Sequence, residues 1–155
     1  MIKNSNRQVV VSGLSDYLKI KVVRANQDAP APSYPYLAYT ITTFAGANNG
    51  TFERHSDGIY RKQVRQIWSI TSKSDDDDES VENASKAKDW LEHIGRAKLR
   101  QHGITVQSVT DITNRDNVLT NGYEYSNGFD VVFYVYDEID SKGDYIENVE
   151  TNRIL

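Results

Sequence analysis

The sequence predicts an α+β domain: a mostly antiparallel twisted sheet with one long helix and a short N-terminal helix packed on one face. Three observations lead there. Several segments alternate apolar and polar residues with the period of two that marks a half-buried strand. One long segment, about residues 77–101, repeats its apolar positions every three to four residues instead. The strands come in runs before and after that segment, an order that gathers helices on one side of a sheet.

Each element follows from its own residues. "SNRQVVVSGLSDYL", residues 5–18, sets Val9, Val10, Leu14 and Leu18 near one side of a short helix, with Gly13 as a weak point. "KIKVVRANQ" alternates Ile20 and Val22 against Lys19 and Lys21 and reads as a strand. All three prolines, Pro30, Pro32 and Pro35, then stiffen a loop, because each fixes φ and extends the residue before it. "PYLAYTITTF" continues as a strand of pleat-favouring residues.

"AGANNGTFERHSDG" reads as a loop, with Asn49-Gly50 a candidate turn. From Ile59 to Ser72, Tyr60, Val64, Trp68 and Ile70 share one face and Arg61, Gln63, Arg65 and Ser69 the other; Ile67 breaks the pattern. In the long helix, Val81, Ala84, Ala87, Lys88, Leu91, Ile94 and Leu99 form the stripe, with Trp90 at its edge. Acids gather at its start, Arg96, Lys98 and Arg100 at its end, and Gly103 is a natural stop. "ITVQSVTDIT" is a further strand, Asn121-Gly122 a further turn, and "FDVVFYVYDE" a last strand apolar on nearly both faces. Residues 1–138 then form a single domain and 139–155 an extended C-terminal arm.

A chain of 155 residues can bury roughly 70% of its unfolded surface, so it needs neither metal nor disulfide to fold. It has no cysteine, which excludes thiolate metal sites and a cysteine nucleophile. Neither a signal peptide nor a membrane span is expected, so synthesis is expected in the cytoplasm. Net charge is −4. Six of the 22 acids but only two of the 18 bases fall at or after Asp137, so the rest of the chain is balanced. That balance disfavours a general grip on nucleic acid, which needs a basic excess.

The search for chemistry returns no catalytic, metal or cofactor residue. Asp75 to Glu79 are contiguous acids without the glycine and alternating ligands of a calcium loop; they suit a solvated helix start. His55, His93 and His102 lack the spacing of a helical zinc pair. Nucleophile elbows, P-loops and dinucleotide fingerprints are absent. Arg61, Lys62 and Arg65 read as the wet side of a strand, with salt bridges to a neighbour's acids as the alternative.

Tyrosine is the unusual feature. Of ten tyrosines, seven fall in two clusters, Tyr34/36/39 and Tyr123/125/134/136. Plain core packing favours Leu, Ile and Phe, since each buried hydroxyl needs a partner, whereas interfaces use tyrosine. Core and subunit interface both remain open for them, and Tyr34, Tyr36, Tyr39, Arg61, Arg65, Tyr134 and Tyr136 are the interface candidates.

Four stretches taken in order resemble bacteriophage neck or tail-terminator proteins: "VRANQDAPAPSYPYLAYTIT", "RQVRQIWSITSKSDDDDESVENASKAKDWL", "LRQHGITVQSVTDITNRD" and "EYSNGFDVVFYVYDE". One departure is "EYSNGFD", where many relatives have arginines before the glycine.

The resemblance implies a structural virion protein and not an enzyme. Identical copies form a ring, usually a hexamer, that caps the tail-tube protein, stops its polymerisation and meets a head-completion or connector protein. A tail sheath is a further partner if the tail is contractile. Genomic DNA would pass through without specific binding, past lumen-facing acids among which Asp137, Glu138, Asp140 and Asp144 are candidates. A head-closure or adaptor ring, and a small binding module outside a virion, are the alternative readings.

Overall fold

The computed structural model describes residues 1–46, 50–120 and 122–140. Asn49, Asn121, Asp144 and most of the C-terminal arm lie outside the described residues. The order is α1 (Asn4–Leu18), β1 (Lys21–Arg24), β2 (Tyr36–Gly46), β3 (Glu53–Arg54), β4 (Tyr60–Ser74), α2 (Asp77–Asp89), a π-helical turn (Trp90–Ile94), α3 (Arg96–Gln101), β5 (Thr105–Val109), β6 (Thr113–Asn114), β7 (Asn117–Leu119) and β8 (Gly122–Ile139). The main sheet runs β1-β2-β4-β8-β5, antiparallel except for β1 beside β2. This is the expected α+β fold.

The β4–β8 pair is its spine, in unbroken register from Tyr60↔Ile139 to Ser74↔Tyr125. Val64, Trp68 and Ile70 on β4 share a face with Phe129, Val131, Phe133 and Val135 on β8, and all are buried. Leu37 and Tyr39 extend that face on β2, and Val10, Leu14, Leu91 and Leu99 cover it from the helices. Trp68 stacks on Tyr39 at 4.9 Å between ring centroids and meets Phe133 edge-on at 5.6 Å. Its indole Nε1 donates to Gln66 Oε1, whose own amide donates to the Phe44 carbonyl, so both of these buried side chains are paired.

The long helix departs from expectation in its middle. The Gly95 N–H donates to the Trp90 carbonyl, five residues back, which is the π-helical bond. Each turn of that kind holds an extra residue and delays the rotation of the stripe. After Leu91 the buried positions are therefore Gly95 and Leu99, while Ile94 is left outside with 51% exposure. Val81 also lies outside, at 43%, and Ser80 and Asn83 are buried in its place. Ser80 Oγ donates to the Ser72 carbonyl and accepts from Asn127 Nδ2, so this end of the helix docks through small polar groups. Asp76 caps the helix by accepting from the Glu79 N–H, and Ser74 Oγ donates to Glu79 Oε1. The acidic run is thus a capped helix start.

Trp90, expected at the edge of the stripe, is 4% exposed and packs on two glycines. A Cβ on Gly13 would come within 2.3 Å of the Trp90 ring, and one on Gly95 equally close. Gly13 is therefore the seat of an indole in α1, which outweighs its poor helix propensity.

Other boundaries differ too. β8 begins at Gly122 rather than near Phe129, and from Asp130 to Val135 it buries one face rather than both. β3 forms in a segment read as a loop, β6 and β7 form between the last two expected strands, and Ile67 lies on the second face, half-buried opposite Val132. β1 and β2 are parallel, which a local reading of alternation does not reveal.

Gly13→Ala should lower stability by about 1–3 kcal/mol through overpacking, although alanine's helix preference alone would add about 1 kcal/mol. Gly50→Ala, where an added Cβ meets nothing within 4 Å, is the control and should stay within about 0.5 kcal/mol. Urea-unfolding midpoints measure both; a Gly13→Ala midpoint at or above the parent's would mean the indole has room to move.

Candidate interaction surface

The face of the spine away from the helices carries Gln63, Arg65, Ile67, Ser69, Thr71 and Lys73 on β4 and Ser126 to Tyr136, at even positions, on β8. It divides into three zones. At one end the proline segment covers it. Because β1 and β2 are parallel, residues 25–35 must carry the chain back along the length of a strand. They do so over Tyr36, Ala38 and Lys73, with which Pro30 and Pro32 line a cleft of about 300 Å³. The stiff loop is the return crossover, and it leaves Tyr36 and Ala38 only 6% exposed.

Tyr34, at the end of this crossover, stacks on Tyr36 at 5.8 Å and donates its hydroxyl to Glu124 Oε2 at 2.7 Å. Lys73 Nζ reaches Glu124 Oε1 at 2.8 Å. Glu124, 7% exposed, therefore ties the crossover, β4 and β8 together. Burial opposes its ionisation, but the Lys73 and Tyr34 contacts outweigh burial and hold its carboxyl below the ordinary 4.5. In return the bond to Glu124, helped by burial, pushes the Tyr34 hydroxyl up to about 12.

The middle zone is bridged by Arg115. Its guanidinium donates to Ser69 Oγ at 2.7 Å, Thr71 Oγ1 at 3.0 Å and Asp130 Oδ1 at 3.3 Å. Gly128 permits this: a Cβ there would stand 2.8 Å from Arg115 Nη1 and 2.5 Å from the Ile70 carbonyl. Asp116, next in the chain, accepts from the Ser126 N–H at 2.7 Å and the Tyr123 hydroxyl at 3.2 Å. Neither Arg115, Asp116, Lys73 nor Glu124 was singled out by the sequence reading, since their partners lie far away in the chain. The "NRD" and "NG" pieces of the resembling stretches were the available signal.

The third zone is uncovered. Ile67 and Val132 face each other across the ladder, as do Arg65 and Tyr134, then Gln63 and Tyr136. The apolar members are half-buried and Arg65 is exposed. Among the described residues, none forms an ion pair with Arg65. Tyr136 meets the His55 ring edge-on at 6.2 Å and borders a polar hollow of about 500 Å³.

The candidate residues thus separate. Tyr39 belongs to the core and Tyr36 lies under the crossover, both completed by their own chain; Tyr34 keeps 36% exposure. Arg61 is bound within the chain, to Asp57 at 2.7 Å and Glu138 at 3.0 Å. Glu138 also pairs with Lys3, and Asp137 with the Met1 ammonium. Burial opposes ionisation of Glu138, yet Arg61 and Lys3 prevail and keep its carboxyl below the ordinary range. Asp140 also makes an interaction. Arg65, Tyr134 and Tyr136 remain together on the open face.

With this arrangement in view, the chain can be compared with known proteins. A family model described as phage neck terminator protein matches residues 8–154. The chain belongs to that family. It is therefore a structural protein of the phage neck, located in the virion and in contact with other tail or head proteins. No curated protein matches it. One solved structure is similar to this neck terminator over 87% of its chain and 96% of the other, with a TM-score of 0.46 and 15% identity. Among the described residues of the terminator, no helix is long and apolar enough to cross a membrane.

The Tyr34–Glu124–Lys73 tie should have two pH limits. Tyr34 loses its proton near 10.0 when unfolded and near 12 when folded, so its contribution is complete below pH 10 and disappears as pH rises through about 12. Glu124 is depressed when folded, so its contribution is complete above 4.5 and is lost as pH falls through the lowered value. Tyrosinate absorbance should show a late-titrating hydroxyl that vanishes in Tyr34→Phe and returns toward 10 in Glu124→Gln. Identical titrations in all three proteins would refute the tie.

Proposed function

We propose that this neck protein is a tail terminator whose copies close into a hexameric ring on the last ring of the tail tube. The ring stops polymerisation and offers a new surface to the connector. A growing tube ends when a subunit binds its open face without recreating it. The observation that carries the reading is the uncovered zone of the sheet, where Arg65, Ile67, Val132, Tyr134 and Tyr136 stand without a cover on a chain of the neck-terminator family. Half-buried aromatics beside an arginine are the composition of a protein interface.

The proposed subunit surface is accordingly narrower than the tyrosine clusters. It keeps Arg65, Tyr134 and Tyr136, and leaves Tyr34, Tyr36, Tyr39 and Arg61 to hold the subunit itself together. The carboxylates of Asp137 and Glu138 are neutralised by their own ion pairs. A phosphate-repelling lumen would have to draw on acids later in the chain. The connector and, in a contractile tail, the sheath are the further partners of such a ring.

Purified protein incubated with unterminated tails tests the reading directly. Tubes should stop lengthening and carry a terminal ring; continued growth refutes it, and binding to heads instead makes the protein an adaptor. Arg65→Glu should leave stability within about 0.5 kcal/mol while termination falls at least tenfold. Tyr36→Ser should instead lower stability by about 3 kcal/mol, as large-to-small changes at buried aromatics do. A large drop in melting temperature for Arg65→Glu, or none for Tyr36→Ser, would reverse the assignment of the two.

A further inference from the structure

The described surface has a second apolar feature, of opposite shape, at the other end of the spine. The last β4–β8 pair is Ser74↔Tyr125, and Gly122–Glu124 run on past it, paired only with β7. Val118, Leu119 and Tyr123 on this hairpin are 82%, 45% and 47% exposed. Hairpin tips exposed to water are ordinarily polar, so two large aliphatics there need a cover.

The hairpin is also held firmly. Asp116 bonds the Tyr123 hydroxyl and the Ser126 N–H, Glu124 is fixed by Lys73 and Tyr34, and Tyr123 packs on Tyr125 at 4.8 Å. A projection anchored at its base loses less entropy on docking.

We propose that this tip docks on the uncovered zone of a second copy, against Ile67, Val132 and Tyr134, in a head-to-tail contact. This rests on the ring reading above and names the two surfaces that meet.

Charge favours this occupant. The tip is acidic, with Asp116 bonded to Tyr123 and Asp77 near enough to act on the Tyr123 hydroxyl. The open zone presents the cation Arg65, which lacks an ion-pair partner among the described residues. Opposite charges therefore flank the two apolar patches.

Spacing favours it as well. Tyr123 and Val132 are nine residues apart on one strand, or about 30 Å at ~3.4 Å per residue. A compact chain of this length is roughly 40 Å across. The separation of tip and receptor is thus close to the width of one subunit, and two unlike patches on opposite sides generate a ring when the rotation closes.

The absence of native cysteine permits a direct test. In a protein carrying both Val118→Cys and Val132→Cys, an internal disulfide is impossible, because the positions lie far beyond the ~7 Å that a disulfide spans between Cα atoms. Bound to tail tubes and mildly oxidised, more than half of the chains should appear as disulfide-linked dimers and larger species. Each single-cysteine protein should give only background. Val118→Asp, at a site with 82% exposure, should keep the parent's unfolding midpoint and lose ring formation at least tenfold.

A ring that forms normally, yet neither crosslinks nor responds to Val118→Asp, overturns this contact and leaves the ring reading standing. A Val118→Asp protein that still forms rings but no longer holds the tube overturns it too, by giving the tip to the tube. If the unaltered protein forms no ring on tubes, both readings are overturned together.

Discussion

The unbroken β4–β8 ladder is the constraint on which the rest of the molecule depends. Side chains alternate across a strand, so a slip of one residue would bury Arg65 and expose Trp68. Trp68, between the rings of Tyr39 and Phe133, makes that slip costly. Once the register is held, the side that receives the helices is decided, and so is the row of residues left on the other side. The surface chemistry of this terminator is set by the packing of a core that never touches it.

The second face then shows three ways of handling a sheet that helices do not cover. The proline crossover gives one end an apolar roof, and prolines suit it because a parallel pair needs a long return without a helix of its own. Arg115 spans the middle with a planar fork of donors, matched to two hydroxyls and a carboxylate, and Gly128 makes way for it. The far end has half-buried aliphatic and aromatic residues with neither device over them. A surface managed so closely over the rest of its length gives meaning to the part that is left.

Much of this was legible in the residues. Period-two alternation placed β4 and its two faces because Val64, Trp68 and Ile70 are large and their neighbours charged or polar. The acidic run read correctly as a helix start, since the helix dipole and capping act locally. What could not be read depended on distant partners. The π turn follows from fitting Trp90 against Gly13, which lies in another helix. The early start of β8 depends on pairing with β4 and β7, and the parallel β1 on a crossover that local alternation does not encode. Composition alone could not divide the tyrosines, because Tyr36 and Tyr134 look alike in sequence and differ only in what lies above them.

If the protein caps a tube, it must bind on one side without reproducing the surface it has bound, and this fold carries unlike surfaces on one strand. β8 carries hairpin residues at its start, the Glu124 tie and the Arg115 bridge next, and Val132, Tyr134 and Tyr136 near its end. From Tyr125 to Ile139 the ladder joins β8 continuously to β4, and the hairpin residues before it continue the same strand, so no loop intervenes between those regions. If tip and open face do meet in adjoining copies, the rotation from one copy to the next is set by the twist of the β4–β8 ladder. The number of subunits would then be a property of the core's register, which ties the size of the ring to the same packing that buries Trp68.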